Sequence, residues 1–321
     1  MRKLSVLLLT LIIAVIASAC GAAAPENNAA GSGSPAPEAA KAPVEQSFKH
    51  ELGETKIKGV PSKVVVFDFG ALDTLDRLGV EVLGVPQANI PSYLSKYKDA
   101  KYKNAGSLTE PDFEKISAMS PDLIIISGRQ SKAYEELSKI APTLYVALDT
   151  KNYMTSFENN TKTLAKIFGK EAAAEQELAK VNATVKAVKE KASASGKQAL
   201  IILSNGGKVS GYGAGSRFGL IHDVLGFTPV DKSIEVTTHG QSISFEYIAE
   251  KNPDYLFVVD RDAVVGGQSN AKQTIENDLV KNTKAFKDGH IVYLDPNFWY
   301  LSGGGLISVE GMVKEVEASL K

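Results

Sequence analysis

Three arginines carry the sharpest chemical signal in this sequence. Arginine occurs only at positions 2, 77, 129, 217 and 261, among 36 basic residues, so lysine serves the solvated surface. Arg129 follows the apolar run Leu123–Ile126 in PDLIIISGRQ, Arg261 follows Leu256–Val259, and Arg217 sits in the glycine-rich stretch Gly211–Gly219. A guanidinium is a planar fork of donors that stays charged and grips oxygen anions two bonds at a time. Three of them facing one cleft would form a receptor for an oxygen-rich anion. The competing reading is local: each could pair with a nearby carboxylate, as Arg261 could with its neighbour Asp262.

Other chemistries find less support. His50, His222, His239 and His290 are scattered without metal-ligand spacing. His222 and His290 read as structural, whereas His239, in the polar loop Thr237–Ser242, could face a ligand. No serine occupies a Gly-x-Ser-x-Gly elbow, and the glycine-rich stretch lacks both dinucleotide spacing and a following Gly-Lys-Ser or Gly-Lys-Thr. With 36 basic against 37 acidic residues, nothing resembles a nucleic-acid footprint. The chain therefore reads as a binder and not an enzyme, without a protein-held metal or cofactor. Trp299 and Tyr300, in NFWYLSGGG, precede three glycines, a segment costly to order unless it packs or binds. In a cleft these rings could stack on aromatic groups of a ligand; Trp299 could equally fill the core.

The elements that must position these residues alternate. Apolar runs at Val64–Phe67, 123–127 and 143–147 predict strands, and the spacing predicts helices near 71–78, 111–119 and 132–140. From 153 to 195 the period becomes helical throughout, with Gly169 dividing a shorter helix from a long one over 171–193, about 35 Å in length. The alternation then resumes. Strands are expected at Ala199–Leu203, Val209–Gly213, Leu256–Val259 and Ile291–Leu294. Helices are expected at Gly219–Leu225, Phe245–Lys251, 271–279, 283–287 and Glu310–Leu320. This predicts an α/β fold of two Rossmann-like lobes, 47–152 and 196–321, each with a largely parallel sheet, joined through the helical region 153–195 by one long backbone helix. An internal echo supports two lobes. Phe113-Glu114, Pro121-Asp122 and Arg129 recur as Phe245-Glu246, Pro253-Asp254 and Arg261, each 132 positions later. Open α/β sheets bind ligands beyond the carboxyl ends of their strands, which is where both arginines fall.

The first residues address location. Arg2 and Lys3, the apolar run Leu4–Ile16 and Ala17-Ser18-Ala19 have the layout of a signal peptide over 1–19. Cys20, the only cysteine, stands directly after the cleavage site, as in acylated lipoproteins, although Ala17 departs from the usual motif. Residues 20–46 then read as a lipidated cysteine and a flexible tether rich in Ala, Pro, Gly and Ser.

Together, the leader, the paired elements and the long inter-lobe helix resemble the helical-backbone class of solute-binding proteins. These serve ABC importers of iron–siderophore complexes, haem and cobalamin. VVVFDFGALDTLDRLGV, PDLIIISGRQ, SRFGLIHDVLG, THGQSISFEYI and WYLSGGG are similar to the petrobactin-binding branch of that class. The resemblance implies a monomer held by its lipid on the outer face of the cell membrane, in the Gram-positive manner. It would capture a ferric catecholate siderophore between the lobes and deliver it to a permease. Petrobactin carries two dihydroxybenzoate arms on a citrate backbone, and the siderophore's own oxygens hold the iron. Carried over, Arg129, Arg217 and Arg261 match the class's ligand-binding arginines, and Glu114 and Glu246 match the glutamates that dock on the permease. A receptor for ferric citrate or a citrate-hydroxamate siderophore, or a surface siderophore esterase, are the alternatives.

Overall fold

A computed structural model describes residues 45–320. The leader, Cys20 and most of the tether lie outside those residues. The last two positions of the expected tether, Glu45 and Gln46, belong to a strand.

The first lobe opens with an antiparallel hairpin, β1 (Glu45–His50) and β2 (Gly53–Lys58), which the sequence reading did not anticipate. Its sheet holds β3 (Val64–Val66), β4 (Gly84–Val85), β5 (Lys103–Asn104), β6 (Leu123–Ile126) and β7 (Thr143–Tyr145) in the order β5-β4-β3-β6-β7, all parallel. Both faces of β3 and β6 are covered, which explains their unbroken apolar runs. Three helices flank the sheet: α1 (Phe69–Arg77), α2 (Phe113–Met119) and α3 (Tyr134–Ile140).

The second lobe holds β8 (Gln198–Asn205), β9 (Lys208–Tyr212), β10 (Thr228–Pro229), β11 (Gln241–Ile243), β12 (Tyr255–Asp260) and β13 (Ile291–Leu294). Its order is β11-β9-β8-β12-β13, with β10 also on β8. The sheet is largely parallel, as expected, with one exception: β9 runs antiparallel to both β8 and β11. The loops after β9 and before β11 carry Arg217 and His239, so the reversal delivers two of the expected site residues. The helix α6 (Phe245–Lys251) leads into β12.

The Pro-Asp echo has a physical cause. Asp122 accepts from the N–H of Lys63 at 2.9 Å, and Asp254 accepts from the N–H of Gln198, also at 2.9 Å. Each carboxylate thereby ties the start of its own strand to the start of its neighbour. Asp112 and Ser244 cap α2 and α6, and both helices end on a left-handed residue, Ser120 and Asn252.

Between the lobes run α4 (Tyr153–Phe168) and α5 (Glu171–Ser195), divided where Gly169 adopts φ +62. After the short α7 (Asp262–Val265), α8 (Ala271–Ile275) and α9 (Lys284–Lys287), the helix α10 (Leu306–Ser319) packs on both α5 and α1. The expected single backbone helix therefore has a second beside it. Helix α10 starts four residues earlier than the apolar pattern suggested, because Asp73 on α1 satisfies its first turn. Asp73 accepts from the N–H groups of Ile307 at 3.2 Å and Ser308 at 3.0 Å. A side chain on Gly305 would collide with that carboxylate.

Candidate ligand-binding cleft

Tyr300 is the meeting point of the three arginines. It lies in a π-helical turn, Asn297–Ser302, after β13. Its carbonyl oxygen accepts from Arg129 at 2.7 Å and from Arg217 at 3.0 Å. Its phenol oxygen accepts from Nε of Arg261 at 2.8 Å. The Arg217 guanidinium lies 4.7 Å from the Tyr300 ring centre and 4.9 Å from that of Phe218. Arg129 also reaches the Leu301 carbonyl at 3.4 Å, and Arg261 the Asn205 side-chain oxygen at 2.9 Å. Three separate segments thus bring their cations to one residue.

No ion pair among the described residues includes any of these arginines. Asp262, the nearest local candidate in sequence, is buried and accepts from the Gly206 N–H at 2.7 Å. Like charges held together without a counter-ion are costly, and the arrangement is offset when an anion arrives. The pKa of Arg217 is lowered, by burial first and by the charge of Arg129 second. Each guanidinium has five N–H donors. The protein bonds found here occupy one or two on each, leaving the others for a ligand.

Two cavities adjoin this cluster. One of about 490 Å³ lies between the lobes, lined by Arg129, Leu148, Tyr153, Arg217 and Thr237 among others. A second of about 370 Å³ lies within the second lobe, lined by Asn205, Lys208, Arg217, His239, Arg261 and Tyr300. Arg217 borders both. His239 is exposed at the second cavity, whereas His222 and His290 bond to the carbonyls of Phe227 and Asp254. Lys208 went unnoticed in the sequence, since one lysine among 31 gives no signal; only the β8–β9 reversal brings it here.

Trp299 is mostly core. It is 2 % exposed, and its indole N–H donates to Glu315 at 2.7 Å. It pins the turn that presents Tyr300 and still borders the inter-lobe cavity. Glu114 and Glu246 line neither cleft cavity. They stand exposed on the first turns of α2 and α6. Each helix runs back to the start of the next parallel strand, so both glutamates lie at the carboxyl edges of the sheets, the edge from which Arg129 and Arg261 emerge. Among the described residues, no group of three or more His, Cys, Asp or Glu side chains is placed to hold a metal.

The chain resembles known proteins over its whole length. A family profile described as Periplasmic binding protein matches residues 64–298. The petrobactin-binding protein YclQ of Bacillus subtilis is 49 % identical over 325 residues, covering 100 % of both chains. Its crystal structure superposes with a TM-score of 0.84 at 52 % identity, covering 87 % of this chain and 99 % of that one. The ferric-anguibactin-binding protein FatB of Vibrio anguillarum is 33 % identical over 84 % of this chain and 85 % of its own. The periplasmic catecholate-siderophore binding protein VctP of Vibrio cholerae superposes with a TM-score of 0.82 at 43 % identity, covering 86 % of this chain and 100 % of that one. The two lobes, the joining helices and these matches together place the chain in the periplasmic binding protein family.

Proposed function

We propose that this protein is the extracellular receptor of an ABC importer, capturing a ferric catecholate siderophore of the petrobactin type and delivering it for iron uptake. The observation that carries this reading is the convergence on Tyr300, between two cavities, of three arginines that have no carboxylate partner among the described residues. A ferric bis-catecholate presents anionic oxygens around its iron and aromatic rings outside them. The guanidiniums bond the oxygens, and the exposed part of the Tyr300 ring meets the arms. Iron is cargo held by the siderophore, so the protein needs no ligand of its own. Relatives named for petrobactin and for catecholate siderophores support that choice.

The rest of the cycle follows the same reading. Cys20 carries the lipid that anchors a monomer to the outer face of the membrane. Glu114 and Glu246, one on each lobe, meet cationic pockets on the permease, where opposite charges steer docking and set its orientation. Because α5 and α10 both span the lobes, closure on the ligand is small.

The test is an intrinsic-fluorescence titration with ferric petrobactin, ferric citrate and a ferric hydroxamate. Saturable quenching by ferric petrobactin at the lowest concentration is expected. Arg217→Ala should weaken it by about 100-fold, the loss of hydrogen bonds to a charged partner. Equal or tighter binding of ferric citrate or the hydroxamate would retain the receptor and replace its cargo. Chemical breakdown of the siderophore would favour the esterase.

A further inference from the structure

The two copies of the Phe-Glu element differ in one respect that the glutamates do not reveal. Phe113 is 39 % exposed, whereas Phe245 packs against the core of its lobe. Phe113 is the only aromatic residue among the exposed large apolar side chains of the described residues, beside Val60, Val236 and Leu279. It borders a shallow hollow of about 600 Å³ together with Glu114, Ser117, Ala118, Ile140 and the ion pair of Lys139 with Glu136. Around it, Glu110 and Glu114 are exposed and make no ion pair among the described residues, while Asp112 is held by Lys115 at 2.6 Å. On the second lobe, α6 carries a polar cluster. There Tyr247 donates to Asp231 at 2.8 Å, and Lys251 meets the same carboxylate at 2.8 Å.

We infer that docking on the permease is asymmetric: the first lobe inserts Phe113 into an apolar pocket beside the cation that receives Glu114, and the second lobe docks through charge alone. This rests on the docking role proposed for Glu114 and Glu246. Phe113 stands at the same carboxyl edge as both glutamates, next in sequence to one of them, so a surface that receives Glu114 must also cover Phe113. The uncompensated charge of Glu110 and Glu114 selects a cationic surround, and the aromatic ring selects an apolar floor within it. A rim charge mainly governs encounter, whereas a buried aromatic anchor governs how long the complex lasts. The first lobe would therefore hold the permease and the second would orient it.

The experiment places Phe113→Ser, Phe113→Leu, Glu114→Ala and Glu246→Ala at the native locus and measures uptake of radiolabelled iron supplied as ferric petrobactin. Melting and ferric petrobactin affinity of each purified variant are measured alongside. Phe113→Ser should lower the uptake rate by about tenfold, the value of one aromatic anchor. Its melting and affinity should match the wild type, and Phe113→Leu should restore most of the uptake. If both glutamate variants impair uptake and Phe113→Ser does not, the apolar anchor is wrong and charge docking stands. If neither glutamate matters while ferric petrobactin still binds, the docking surface itself is elsewhere and both ideas fall.

Discussion

Arg129 and Arg261 occupy equivalent places in the two lobes and do different work. Arg261 bonds Asn205 and the Tyr300 phenol, all within the second lobe. Arg129 reaches from the first lobe to the carbonyls of Tyr300 and Leu301, in the turn between β13 and α10 that packs against the cores of both lobes. The residue after each arginine is a buried buttress. Gln130 accepts from the Ser127 N–H at 3.0 Å, and Asp262 accepts from the Gly206 N–H at 2.7 Å. The two copies thus share a scaffold that aims a cation at the cleft. The partner of that cation differs: Arg261 bonds within its own lobe, and Arg129 bonds the turn after β13.

Substitution should separate the two roles. Arg129→Ala and Arg261→Ala are each expected to weaken ferric petrobactin binding by roughly 10- to 100-fold, as for a lost charged hydrogen bond. Only Arg129→Ala should also destabilise the fold, by about 2 kcal/mol in denaturant titration, since it releases two carbonyl contacts between the first lobe and the turn after β13. Equal stability of the two variants would erase the distinction.

A second contact between the lobes sharpens the comparison with a smaller effect. Asp73 is fully buried and receives two N–H groups from α10 and the Tyr93 hydroxyl at 3.0 Å. The Tyr93 oxygen in turn accepts from the Ser302 hydroxyl at 2.6 Å, within the Tyr300 turn. Burial pushes the Asp73 pKa from 3.8 up to about 7, against the pull of these hydrogen bonds. The folded protein therefore holds this proton more tightly than the unfolded chain. The stability from that proton is complete below about pH 4 and is lost as pH rises through about 7. In Asp73→Asn this slope should vanish, so that the difference between variant and wild type itself varies with pH between about 4 and 7, and the amide should cost about 1–2 kcal/mol by facing α10 with a donor. An unchanged pH slope would show that another group sets it.

Much of the scaffold was legible because it is written in local patterns. The continuous apolar runs of β3 and β6, the helical period after residue 153 and the Phe-Glu, Pro-Asp and Arg echo each depend on neighbours a few residues away. Long-range pairing was less visible. The hairpin β1–β2 is polar on much of its surface and lacks a strong run, so the sequence predicts no strand there and places its first two residues in the tether. The reversal of β9 depends on which strand it joins, and the early start of α10 depends on Asp73, more than two hundred residues away. In the cleft, the arginines stood out because arginine is rare here. Tyr300 was noted only as a stacking ring, although its backbone carbonyl does as much to gather them. Trp299 has two readings in the sequence, and the structure gives it features of both: it is buried with its N–H on Glu315, and it borders the inter-lobe cavity.

The measurement that tests the central claim most directly is a crystal structure of the ferric petrobactin complex. The account predicts catecholate oxygens within hydrogen-bonding distance of Arg129, Arg217 and Arg261, the arms beside Tyr300, and iron coordinated only by the siderophore. A protein side chain bound to the iron, or a siderophore seated away from all three arginines, would contradict it.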